Sequence, residues 1–145
     1  MLVHFPIVFF LTLTAFDLIA VLRGRDVGGR SRTGTISTSL AVLAGLSAVA
    51  AFIFGGIALD VAEQSGFHSD VAEIHESLGG FTAIAFAIWA LVRGFAWWRD
   101  LRPAGATAIA VPVIEIAGAV LLMITAYYGG QLVFGLGVNV LHAAP

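Results

Sequence analysis

The chain is predicted to be an all-α integral membrane protein, an antiparallel four-helix transmembrane bundle with both termini outside. Three observations carry this. Of its 145 residues, 59% are hydrophobic and only 11% charged, too few polar groups to cover a soluble domain of this size. The apolar residues fall into four stretches, each near the ~20 residues needed to cross a hydrocarbon core of ~30 Å. All seven basic residues are arginines, and they sit in two clusters: Arg23, Arg25, Arg30 and Arg32, then Arg93, Arg99 and Arg102. Arginine-bearing connections stay in the cytoplasm. The four histidines, His4, His68, His75 and His142, are thereby all assigned to the outer face.

The first span, residues 3–22, has no basic residue before it and arginines after it, the reverse of a cleaved signal peptide. It reads as a retained helix, with Pro6 early enough that its missing amide hydrogen costs nothing. The connection from Arg23 to Gly34, rich in glycine, is expected to be a flexible turn. The second span covers residues 36–59, and an acidic outer connection from Asp60 to Glu73 follows. The third span, 74–98, opens on His75 and ends at Trp97 and Trp98. The fourth, 106–128, ends at Tyr127 and Tyr128, so interfacial aromatics mark both boundaries. The remaining tail, 129–145, is too short and glycine-rich for another span and is expected to fold over the outer mouth. The whole chain is one four-span membrane domain.

Small residues recur at helical spacing: Ala41, Gly45, Ala48 and Gly55 in the second span, and Gly118, Ala119, Ala126 and Gly129 in the fourth. Such stripes let backbones approach closely. Gly55, Gly56, Gly79 and Gly80 could also clear space for a planar cofactor.

Two groups of residues could carry chemistry. His4 and His75 open the first and third spans, which are usually diagonal in an antiparallel bundle, so two imidazoles at matched depth could hold a haem iron from both sides. Asp17 lies about 21 Å along the first span, and Glu115 about 20 Å before the outer end of the fourth, so the two carboxyls share a depth. They are expected to be protonated, to share a proton, or to find Arg93. Arg93 lies about five turns after His75 on the same helix face and could instead snorkel to the cytoplasmic interface. Asp17, Glu115 and Arg93 are thus read as proton-handling or as a structural ion pair. No nucleophilic triad or phosphate loop is present, and the arginines, lying beside the membrane, do not point to nucleic acid.

The segments VHFPI at residues 3–7, GGIALD at 55–60, His75, and GGQLVFGLGVNV at 129–140 resemble a bacterial family catalogued as domain of unknown function 2231. The resemblance implies a small four-span protein without an assigned activity, whose relatives occur joined to Rieske iron-sulfur or cytochrome c domains. It implies redox work at the outer face, with His4 and His75 matching the family's histidines. Members often have a histidine before the tail's final Gly-Val, where this chain has Gly135-Leu136-Gly137 and places His142 further on.

The leading expectation is a membrane electron-transfer protein or redox-complex subunit of the bacterial inner membrane, binding haem b near the outer face through His4 and His75. It is a carrier or accessory subunit rather than a stand-alone enzyme. One alternative is a copper or zinc site made by His4, His75, His142 or His68, with Glu76 or Asp70 in support. The other is a cofactor-free structural subunit of a larger membrane complex. The expected partners are the lipid bilayer, a membrane or periplasmic redox protein, and further copies or subunits.

Overall fold

Four helices account for nearly all of residues 3–64 and 66–137, which the computed structural model describes. They are α1 (His4–Leu22), α2 (Arg32–Gln64), α3 (Asp70–Trp98) and α4 (Ala106–Phe134), and no strand occurs among the described residues. All four are long and apolar enough to cross a membrane. At 33 residues α2 is about 50 Å long, so it overreaches a ~30 Å hydrocarbon layer and carries Asp60 and Glu63 in its final turns. The acidic connection expected from Asp60 to Glu73 is therefore mostly helical. Ser69 ends it by capping α3, its Oγ accepting from the Val71 amide at 3.2 Å. Asp70 and Glu73 in the first turn suit the positive end of the helix dipole.

The fourth helix also outruns its expected span. It passes through Gly129 and Gly130 to Phe134, so the first residues of the expected tail continue the helix. Two glycines weaken a helix by about 1 kcal/mol each, but a chain leaving the helix near lipid would strand its amide and carbonyl groups. The course of residues 138–145, including Asn139 and His142, lies outside the described residues.

Each helix packs against its neighbours in the chain, and α1 closes the ring on α4; the diagonal pairs α1/α3 and α2/α4 make no close backbone approach. Side chains fill the centre. Phe10 of α1 stacks on Phe86 of α3, with centroids 3.7 Å apart and planes 10° from parallel. Leu13, Ala41, Ala44, Ala48 and Leu122 complete this layer. The small-residue stripes act where helices meet: a methyl group on Gly45 would lie 2.9 Å from the Phe86 carbonyl, and one on Gly118 would lie 2.6 Å from the Phe10 ring. Outward, large apolar side chains such as Leu46, Phe81 and Leu91 are well exposed, which suits acyl chains rather than water.

One end of the ring gathers the arginine-bearing connections, the other His4, His68 and His75. At the arginine end the connection between α1 and α2 is packed, not flexible. Val27, Gly28 and Gly29 are buried, because the segment is pressed between α2 and the α3–α4 connection. A side chain on Gly28 would meet the Leu101 carbonyl at 2.8 Å. The Arg30 amide donates to Asp100 Oδ1 at 2.7 Å, and its guanidinium donates to the Trp98 carbonyl at 2.9 Å and lies over the Trp97 ring. The bond from the Arg30 amide, aided by Arg102, holds the Asp100 carboxyl below the usual carboxylate range. The connection thus forms a plug.

The contrast between two glycines of α2 tests this packing. Gly55 meets nothing within 4 Å, so Gly55→Ala should be neutral or stabilising by up to about 1 kcal/mol through helix propensity. Gly45→Ala should destabilise by about 1–3 kcal/mol because backbone stands in the way. Thermal unfolding of the two variants in one detergent measures the difference.

Candidate functional site

Beneath the Phe10–Phe86 layer, toward the arginine end, each helix contributes one polar side chain to the same point. Asp17 comes from α1, Ser37 from α2, Arg93 from α3 and Glu115 from α4. Asp17, Ser37 and Glu115 are fully buried and Arg93 is 4% exposed. Arg93 Nη1 lies 2.9 Å from Asp17 Oδ2 and 3.5 Å from Glu115 Oε1. Its Nη2 donates to the Val27 carbonyl at 2.6 Å and to Ser37 Oγ. The Ser37 hydroxyl in turn donates to Asp17 Oδ2 at 2.6 Å. Trp89, one turn before Arg93, donates from Nε1 to Glu115 Oε1 at 3.1 Å, and Arg93 lies 5.9 Å from its ring centroid.

Both deep carboxyls lie within reach of Arg93. The guanidinium does not snorkel. Its side chain turns into the bundle because two carboxylates, the Ser37 hydroxyl and the Val27 carbonyl face its guanidinium there, while the plug closes the way out. The two acids do share a depth, as their spacing predicts. Ser37, Trp89 and the Val27 carbonyl were not foreseen. Trp89 had a legible signal, since four residues before Arg93 is the same helix face. Ser37 did not stand out, being one of five hydroxyl residues between Thr33 and Ser39.

The histidine end is a second, separate locality. His75 Nδ1 lies 3.0 Å from the Thr125 carbonyl of α4. A carbonyl can only accept, so Nδ1 carries the hydrogen, and in the neutral ring Nε2 keeps its lone pair. The ring rests on Gly129, where a Cβ would come within 2.8 Å of Cε1 and 3.3 Å of Nε2. Thr82 and Thr125 pair their hydroxyls at 2.9 Å below it. His4, on the diagonal helix at the same end, is exposed, as is His68 in the connection before α3.

The four glycines expected to clear space for a cofactor do not act together. Gly55 and Gly56 meet nothing within 4 Å, whereas Gly79 and Gly80 lie against the Phe52 ring. Among the described residues no group of three or more His, Asp or Glu side chains is gathered to hold a metal ion. His4, His68 and His75, with Asp70 or Glu76, thus form no such group, and His142 lies outside the described residues.

A family model described as predicted membrane protein (DUF2231) matches residues 1–142. No curated protein and no solved structure matches the chain.

The shared arginine makes the two acids interdependent. Asp17→Asn and Glu115→Gln, made singly and together, should be non-additive in unfolding free energy, with a coupling of about 0.5–3 kcal/mol. Strict additivity would show that the carboxyls do not sense each other. Arg93→Met, which strands two buried acids, should cost about 3–5 kcal/mol.

Proposed function

We propose that this chain, which belongs to the domain of unknown function 2231 family of predicted membrane proteins, is an electron-transfer protein or redox-complex subunit that binds haem b at its histidine end. The observation that supports the reading is the bond between His75 Nδ1 and the Thr125 carbonyl. Ligating imidazoles characteristically give their second N–H to a carbonyl or carboxylate, which fixes the ring and raises its donor strength. His75 is held in that way, with Nε2 left as the ligating atom. Gly129 supplies the cradle, since any larger residue would push the ring aside.

His4, the first residue of the diagonal helix, is the second ligand in this reading. His4 and His75 would hold the haem, which when bound would supply one-electron exchange. The fit is strongest on the His75 side. Haem propionates would meet no arginine, because every arginine belongs to the other end; they would rely on water, backbone amides, Gln131, His68, or Asn139, which lies outside the described residues. In this reading the histidine end faces the periplasm of a bacterial inner membrane, which the segregation of the arginines supports.

Protein purified from membranes in mild detergent should show a sharp Soret band and a low-spin spectrum. His75→Ala and His4→Ala should each abolish that spectrum or convert it to high spin, while His68→Ala and His142→Ala should leave it intact. Copper or zinc found by elemental analysis in haem-free protein would replace this reading with the metal-binding one. Absence of both would favour a cofactor-free structural subunit.

Sidedness has its own test, made clean by the absence of native cysteine. Gln64→Cys, at the histidine end, should react with an impermeant thiol reagent in intact cells. Ala104→Cys, in the connection at the arginine end, should react only after the membrane is opened. The reverse pattern would invert the topology.

A further inference from the structure

The cluster between the four helices contains one permanent cation and two acids, and their bonds leave the acids incompletely satisfied. Asp17 Oδ1 and Glu115 Oε2 are buried without a hydrogen-bond partner. The two carboxyls also converge on one atom, Arg93 Nη1, which lies 2.9 Å from Asp17 Oδ2 and 3.5 Å from Glu115 Oε1. Two ionised carboxylates in that position are both acceptors, and they would leave the cluster with a net negative charge in a low-dielectric interior. Both defects disappear with one added proton. It puts one donor among the acceptors and makes the cluster neutral, which is the condition under which buried charges are tolerated.

We propose that Asp17, Arg93 and Glu115 form an internal binding site for a single proton, carried by Glu115. The choice of Glu115 follows from geometry. Asp17 has the shorter contact to the guanidinium, 2.9 Å against 3.5 Å, and it also accepts the short bond from Ser37. It is the better stabilised anion. Glu115 has only the indole N–H of Trp89 and the longer contact to Arg93. The charged and polar groups that face the site are therefore Asp17 from α1, Ser37 from α2, Arg93 and Trp89 from α3, and Glu115 from α4. The step is a simple protonation: a hydronium ion in the water gives up one proton, leaving a water molecule, and that proton forms an O–H bond on the Glu115 carboxylate, which loses its charge.

The route to water is one-sided. Toward the histidine end stands the layer of Phe10, Leu13, Ala44, Ala48, Phe86 and Leu122, whose side chains have no polar atom to pass a proton. Toward the arginine end the cover is the plug, whose Val27 carbonyl is itself bonded to Arg93. The proton therefore exchanges with the arginine-bearing face, and the site does not depend on whether haem binds at the other end.

Infrared spectroscopy of the unsubstituted protein in detergent at neutral pH tests this directly, since exposed carboxyls are then ionised and only a protonated one shows a carboxylic C=O stretch. One such band is expected, shifted when the protein is made with 13C-carboxyl glutamate and unmoved with 13C-carboxyl aspartate. It should be missing from Glu115→Gln. Val27→Gly, which thins the plug, should accelerate the deuterium shift of the band several-fold. A spectrum without the band, a band that moves with aspartate instead, or an exchange rate indifferent to the plug would overturn the proposal.

Discussion

The fold is organised around one guanidinium that cannot reach water. Moving an ion from water into a protein interior costs several kcal/mol even after relaxation, so Arg93 is tolerated only where its donors are met. Its partners come from α1, α2, α4 and the plug, which means that the charge is satisfied only when all these segments are in register. An apolar interface between helices in lipid has little to fix a register, because acyl chains solvate leucine as well as another helix does. Replacing the group by hydrophobic residues could well leave the bundle as stable. What the ionic contacts add is uniqueness.

From that point the molecule separates into two unequal halves. Toward the arginine end, short contacts, a buried connection and aromatic rings over arginines make a closed, densely bonded base. Toward the other end lie the His75–Thr125 contact and the pair of threonine hydroxyls, with the stacked phenylalanines between the two regions. The buried acids and the histidines thus occupy different floors, separated by a layer of apolar side chains.

Much of this was legible in the sequence. The four spans, the pairing of successive helices and the common depth of Asp17 and Glu115 all follow from segment length, arginine clustering and a 1.5 Å rise per residue. Three things were not legible, each for a physical reason. The Arg23–Gly34 segment has the composition of a loose turn, and only the carbonyl it offers to a buried arginine turns it into a plug. Gly129 and Gly130 look like a helix terminus, yet a glycine that accommodates an imidazole from a neighbouring helix serves equally well inside one. Ser37 is chosen from a run of similar hydroxyls by its facing alone, and no periodicity in the polar residues marks that choice.

The placement of Arg93 also bears on how the protein is made. A ribosome delivers Asp17, the Val27 carbonyl and Ser37 before it delivers Arg93, and only Glu115 comes later. By the time the third span enters the bilayer with a cation in its interior, the first two spans already present a carboxylate, a hydroxyl and a carbonyl as its receptacle.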